Sequence, residues 1–280
     1  MNLVNQSVTL VKDPQEEGLD RIYKCIDRAA RICYASTPTM ESKQFVDSLI
    51  KKKHLSPLEF GTVYLTVPNS LDISFYLYNP YTCTVSNNNN HYITTNYRVI
   101  IENNRLLDLK YMTTPTYHEL RYTFLFTLSE GIAREFNRHR THSMVQQSTR
   151  YCNFSKDKFN KELTFIIPYW ANIEAGHYTY NDILGRFISS KQEIDVGQKE
   201  FWLLSNYLKS EKTYLDLVNE HKLKAQEARE VLPLGTKTML MHCAFKSDWL
   251  DFIKLRKSPA AHPDAYKLAA EVEKLLNNKI

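Results

Sequence analysis

Between Tyr122 and Phe136 the hydrophobic period of this chain changes, and that change decides how its most unusual stretch is presented. Tyr122, Phe124 and Phe126 alternate with Thr123, Leu125 and Thr127, which predicts a strand buried mainly on one face. Ile132, Ala133 and Phe136 then follow a helical spacing, and Thr127 with Glu130 makes a candidate capping box where the helix opens. That helix delivers Glu135, Arg138, His139 and Arg140 at its C-terminal end. Glu135 and Arg138 stand three apart, close enough to form a surface ion pair. From Arg138 to Arg150 the chain holds three arginines, two histidines, the adjacent Gln146 and Gln147, and two serines. Arginine forks match phosphate and carboxylate oxygens two at a time, so the cluster suits a bound anion. A solvated basic turn has the same composition; only the order of residues separates the two.

A chain of 280 residues accommodates one large domain or two modest ones. No internal repeat or low-complexity linker divides it, so a single domain over 1–280 is expected. No apolar run approaches the ~20 residues that span a bilayer, and the first residues carry no basic region followed by an apolar core. The cysteines (Cys25, Cys33, Cys83, Cys152, Cys243) are odd in number and widely spaced, with no Cys-x-x-Cys pair. That argues against a disulfide framework or a zinc site and for a reducing cytoplasm. A formal charge of +5 favours anionic ligands and, taken alone, is also compatible with a nucleic-acid binder.

Taken in order, residues 7–12 read as a strand ended by Asp13-Pro14. Leu19, Ile22, Ile26, Ala29, Ala30 and Cys33 place an amphipathic helix over about 16–33. A second helix carries Phe45, Val46, Leu49 and Ile50 and ends in Lys51-Lys52-Lys53, which suits the negative end of a helix dipole. His54-Leu55-Ser56-Pro57 is by itself a turn signal. Residues 62–68 alternate as a strand, and 75–78 and 92–101 also read as strands, joined through Asn87–Asn90 as a hairpin. After Arg150 come a short strand at 163–167, an aromatic stretch at 169–209 with helical patches, and a helix over about 210–221. Ser247 is a candidate cap for a helix running to Lys257, with Trp249, Leu250 and Ile253 inward and Arg256 near its end. Pro263 opens a last amphipathic helix with Leu268, Val272, Leu275 and Leu276 on one face.

Arg138-His139-Arg140, seven residues, Ser148, and then Arg150 resembles the signature of the flavin-dependent thymidylate synthases. Ala29-Ala30-Arg31 looks like that family's Ala-Ala-Arg block. His54-x-Ser56-Pro57-x-Glu59 resembles its His-x-Thr-Pro-Phe-Glu-His segment, with Phe60 in place of the last histidine. Ala228-Arg229-Glu230-Val231-Leu232-Pro233-Leu234 resembles its Ala-Arg-x-Val-Leu-Pro-Leu, and the spacing from Arg229 to Arg256 fits as well. Two asparagines that contact flavin in the family are Phe245 and Asp251 here. From about 69 to 119 the chain departs from the shorter members, and this stretch reads as an inserted β-hairpin.

The resemblance implies an α+β fold, a central mostly antiparallel sheet flanked by helices, in a homotetramer with sites built from several subunits. It implies reductive methylation of dUMP to dTMP, with FAD as cofactor and methylenetetrahydrofolate and NADPH as co-substrates. The location expected is the cytoplasm, or a host's cytoplasm for a phage-encoded enzyme. His54, Ser56, Arg138, His139, Arg140 and Gln146 are then cofactor contacts. Glu135, Arg138, Gln147, Ser148, Arg150, Arg229 and Arg256 are nucleotide contacts, with Arg256 catalytic beside the uracil ring. No metal and no nucleic-acid partner is expected. Ser148 has no histidine base and carboxylate spaced to activate it, so it bonds the nucleotide and is not a nucleophile. Three other readings compete. One is hydroxymethylation of dUMP on the same scaffold. Another is a cysteine-dependent thymidylate synthase, but the required Cys-His pair is lacking, since Cys243 follows His242 in an apolar run that reads as core. The third is a non-catalytic protein that binds DNA through Arg138, Arg140 and Arg150 with a steep salt dependence and no flavin.

Overall fold

Strands pair edge to edge through backbone hydrogen bonds, and here they build three sheets whose apolar faces pack on helices. The computed structural model describes residues 1–278 except Leu184, Ser190 and Lys191. In chain order the strands are β1 (Asn2–Val4), β2 (Ser7–Leu10), β3 (Thr62–Pro68), β4 (Cys83–Ser86), β5 (Asn90–Asn96), β6 (Arg121–Ser129), β7 (Ser143–Gln146), β8 (Thr164–Ile166), β9 (Gly176–Asn181), β10 (Arg186–Ser189), β11 (Gln192–Ile194) and β12 (Lys237–Phe245). The helices are α1 (Gly18–Tyr34), α2 (Ser42–Lys51), α3 (Ser74–Tyr78), α4 (Tyr97–Glu102), α5 (Glu130–Phe136), α6 (Gln198–Asn219), α7 (Ala225–Ala228), α8 (Lys246–Arg256) and α9 (Pro263–Asn277).

The central sheet runs β2-β6-β12-β7 and is antiparallel throughout. On one face Phe124, Phe126, Leu128 and Leu240 bury against Phe136 of α5, Trp249 and Phe252 of α8, and Leu268 and Val272 of α9. On the other face Val145, Met241 and Cys243 meet Ala29 of α1 and Phe60. Helices thus cover both faces, as the α+β reading expects. A second sheet, β11-β10-β9-β1-β8, contains one parallel pair, β1 with β8. The third, β3-β5-β4, packs under α1 and α2.

Several local expectations are corrected. Residues 75–78 form one helical turn, not a strand: the Ile73 carbonyl accepts from the Tyr76 and Leu77 amides, and Asp72 Oδ1 accepts from the Ser74 amide. The strand expected over 92–101 stops at Asn96, whose side chain accepts the Val99 amide at 3.1 Å and caps α4. The asparagine turn does join a hairpin, with Asn87 Oδ1 accepting from the Asn89 and Asn90 amides. Its first strand, however, is β4, and β5 pairs along its length with β3, so the hairpin is an extension of an existing strand. Ser129, not Thr127, caps α5 by accepting the Ile132 amide, because Thr127 is still inside β6. The stretch 169–209 holds β9, β10 and β11 before α6 begins at Gln198, twelve residues earlier than the helix expected from about 210. Leu250 points outward at 52% exposure, and Phe252 takes its inward place. No side-chain bond from Ser247 caps α8, which starts at Lys246.

Candidate functional site

Helices α5 and α8 leave opposite ends of the β6–β12 pair, since Ser129 lies opposite Lys237 and Arg121 opposite Phe245. Both run back across the same sheet face, so their C-terminal turns meet. Arg256 closes that junction. Its Nε donates to His139 Nε2 at 3.0 Å, Nη1 to Glu135 Oε2 at 3.0 Å, and Nη2 to the Glu135 carbonyl. The guanidinium also stands 5.8 Å from the Phe136 ring centroid, and the residue is only 9% exposed. Three of the expected site residues, Glu135, His139 and Arg256, are therefore in direct contact. The expected Glu135–Arg138 pair is replaced by Glu135–Arg256, because Arg138 is turned to solvent. Among the described residues, neither Arg138 nor Arg140 has a side-chain hydrogen bond or ion pair. Two uncommitted guanidiniums thus flank His139 in the chain, and His139 in turn fixes Arg256.

Burial and the adjacent Arg256 hold His139 down to about 4, so the ring is neutral and its Nε2 is free to accept. Behind it His142 is buried against Trp249 (ring centroids 4.5 Å apart), with Nδ1 3.2 Å from His242 Nδ1. Burial, then His139, pushes His142 down to about 3, and His242 is lowered too, first by burial. The sign of the linkage follows: unfolding lets these rings take up protons near pH 6.5, so the unfolded state binds more protons as pH falls. Their stabilisation is full above about pH 6.5 and is lost as pH drops towards about 4 for His139 and about 3 for His142. We expect His142 alone to remove about 2–3 kcal/mol between pH 7 and about 4.5. Urea midpoints across that range measure it, and an unchanged slope in His142→Phe would contradict the assignment.

A second group forms on the other side of the sheet. Tyr34 of α1 bonds His54 Nδ1 through its hydroxyl at 3.1 Å and packs on Tyr151 with ring centroids 5.3 Å apart. Arg150 lies 5.5 Å over the Tyr151 ring. Ser148 anchors this turn, its amide donating to the Cys33 carbonyl at 2.9 Å and its Oγ accepting from the Arg150 amide at 3.2 Å. His54, Ser148 and Arg150 are thus brought together by two tyrosines that the sequence reading passed over. Their signal was proximity: Tyr151 directly follows Arg150, and Tyr34 stands three residues after Arg31. Ser56 is exposed at the start of the 3-10 turn Ser56–Phe60.

The adjacent glutamines part company because successive strand residues face opposite sides. Gln146 points to the α5–α8 side, its oxygen accepting from Asn137 at 2.9 Å and its Nε2 donating to Glu130 at 2.9 Å. Gln147 points to the α1 side, where Lys237 Nζ donates to its Oε1 at 3.4 Å. Arg229 is apart from Arg256. Its Nε stands 3.7 Å from Glu230, and its charge, with that of Arg134, counters the burial that raises Glu130. Phe245 lies 5.8 Å from the Arg121 guanidinium, and Asp251 is exposed on α8. Among the described residues no group of three or more His, Cys, Asp or Glu is placed to hold a metal ion.

Burial raises four of the thiols, Cys25 to about 12, Cys33 to about 11, and Cys83 and Cys152 above the ordinary value. A thiol held that high is not a thiolate at neutral pH and is a poor nucleophile.

Among solved structures, the chain is similar to a UMP/dUMP methylase, PolB, from Streptomyces cacaoi bound with 5-Br UMP. Identity there is 17%, coverage is 99% of this chain and 92% of that one, and the TM-score is 0.46. It is also similar to thymidylate synthase X from Helicobacter pylori with FAD and dUMP, at 17% identity, with 96% and 92% of the chains covered and a TM-score of 0.42. No curated protein matches it. The family model described as thymidylate synthase complementing protein matches residues 86–280, a span that begins at the end of β4 and takes in the Arg138–Arg150 run, Arg229 and Arg256. With that match over more than half of its length, the chain belongs to the thymidylate synthase complementing protein family.

Proposed function

We propose that the protein methylates dUMP to dTMP, with FAD as cofactor, methylenetetrahydrofolate as carbon donor and NADPH as reductant. The observation that carries this reading is the Arg256 clamp, a guanidinium fixed by Glu135 and by His139, the residue between Arg138 and Arg140 in the chain. Uracil C5 becomes nucleophilic only when negative charge is stabilised in the ring. An arginine whose position is set before substrate arrives supplies that stabilisation without reorganising. Glu135 and His139 orient Arg256. His139, being neutral, adds no repelling charge beside it. Ser148 and Arg150 hold the nucleotide, with Arg229 contributing a further cation.

The residues fit a flavin dinucleotide. Arg138 and Arg140 offer two free forks to its bridging phosphates, and His54 stands at an aromatic ledge formed by Tyr34 and Tyr151. His54, Ser56, Arg138, His139, Arg140 and Gln146 remain the proposed holders. Gln146 would act through Asn137, to which its oxygen is bonded. When bound, the flavin supplies the reducing equivalents for the methyl group.

The central sheet separates Arg256 from Gln147 and Ser148 within one chain. That separation supports a homotetramer in which one copy's Arg256 face meets another copy's Ser148 face. We read residues 1–280 as a single domain, with apolar clusters on both faces of the central sheet in support. No described helix is long and apolar enough to cross a membrane, and we place the enzyme in the cytoplasm.

The test is the absorbance spectrum of the purified protein together with the mass of the product made from dUMP. A flavin spectrum and dTMP are expected. A colourless protein whose DNA binding falls steeply with salt would replace the reading with nucleic-acid binding, and a hydroxymethyl product would move it to the sister reaction. Because Cys152 and Cys243 are buried, alanine suits both positions better than serine. Cys152→Ala and Cys243→Ala are each expected to keep most turnover. Loss of turnover in folded, yellow protein would revive a cysteine mechanism.

A further inference from the structure

The turn Ser56–Phe60, which follows His54, is a single 3-10 turn with few internal hydrogen bonds to hold its shape. Apolar packing seats it. Leu58 and Phe60 are buried, and a Cβ on Gly61 would come within 2.7 Å of Ile22 and 2.8 Å of Ile26 on α1. Apolar contact is non-directional, so the direction of the turn must come from hydrogen bonds. The carbonyls at its end need donors from outside, and two arginines and a helix start supply them.

Arg121, the first residue of β6, donates Nη1 to the Glu59 carbonyl at 2.8 Å and to Thr62 Oγ1 at 3.2 Å. Its Nη2 donates to Ser143 Oγ at 2.8 Å, where β7 begins three residues after Arg140. One guanidinium therefore ties the His54–Glu59 block to the Arg138–Arg150 run. All three acceptors are neutral oxygens, so the planar fork sets this contact, not ion pairing. A second hold comes from α4. The Tyr97 amide donates to the Gly61 carbonyl at 2.8 Å. Arg98 Nη1 donates to Glu59 Oε1 at 2.8 Å, while its Nε donates to Glu102 at 2.9 Å.

We propose that Arg121 and Arg98 are positioning residues, which set the Ser56–Phe60 turn, and with it His54 and Ser56, against the Arg138–Arg150 run. The stretch from β3 to α4 then braces the site, with its start pinned at Thr62 and α4 returning to Glu59. The inference rests on the flavin reading above only for what His54 and Ser56 hold.

The first measurement is hydrogen exchange of the whole protein, without flavin, read by mass spectrometry over residues 54–61. Losing the bonds from a charged donor should speed exchange there about tenfold or more in Arg121→Met, with β9 and β10 unchanged. Arg121→Lys should not restore protection, because one ammonium cannot reach Glu59 and Ser143 together. Arg98→Met should also speed exchange, and Arg98→Lys should restore it by keeping the ion pair with Glu59. Ser143→Ala removes only the Nη2 acceptor; it should speed the same amides and serves where Arg121→Met fails to fold. Unchanged exchange over 54–61 in the folded variants overturns the brace, as does a loss of protection spread equally over β9 and β10. The second measurement is FAD affinity by fluorescence titration, beside turnover. The dissociation constant should rise about tenfold in Arg121→Met and Arg98→Met, with about half or more of the turnover kept at saturating FAD. Lost turnover at unchanged affinity would move Arg121 into the chemistry and overturn the positioning role. An unmodified protein that binds no FAD, with the exchange pattern intact across the variants, would reject the flavin reading and leave the brace standing.

Discussion

Arg256→Ala is expected to lower dTMP formation about a hundredfold or more at saturating dUMP, with the flavin spectrum retained. Removing one preorganised donor from a developing anion costs about 3 kcal/mol in the transition state, and Arg256 is preorganised by three donated hydrogen bonds. Arg256→Lys should not restore turnover. One ammonium cannot serve Glu135 Oε2, the Glu135 carbonyl and His139 while also facing the uracil ring. Product formation measured beside NADPH oxidation separates this loss from loss of cofactor. Near-normal turnover in Arg256→Ala would remove Arg256 from the chemistry and return it to a structural role with Glu135.

The second large effect concerns stability. Trp249 is fully buried, with its ring 4.7 Å from Phe124, 5.2 Å from Phe252 and 4.5 Å from His142 between centroids. Its Nε1 donates to the Tyr122 carbonyl at 3.0 Å, tying α8 to the first residues of β6. Trp249→Ala should cost about 3–5 kcal/mol through lost transfer energy and the cavity left behind. It should also lower activity, because α8 carries Arg256. Trp202→Ala, at a position 66% exposed on α6, should stay within about 0.5 kcal/mol. Urea midpoints of the two variants give the comparison. Equal midpoints would mean that α8 is not held to the sheet by this residue.

What the sequence by itself determined were features set by period and by local chemistry. Phe124, Phe126 and Leu128 alternate and form β6, while Ile132, Ala133 and Phe136 recur at helical spacing and form α5. Pro263 opens α9, and the two later motif blocks, Arg138–Arg150 and the one from Ala228, lie within the span that carries the family. Local signals failed where a side chain competed with the backbone pattern. Asn96 ended β5 by capping α4, and Ser129 took the cap from Thr127 because strand pairing kept Thr127 extended. The tertiary structure alone decided which site residues share a face. Gln146 and Gln147 are adjacent in sequence, yet the pleat sends one to the α5–α8 side and the other to the α1 side beside Lys237. Glu135 found Arg256, 121 positions away, and not Arg138, three away, because α5 and α8 run back across one sheet face until their ends touch. A spacing rule weighs neighbours along a helix; it contains nothing about which second helix will bring a cation to the same carboxylate.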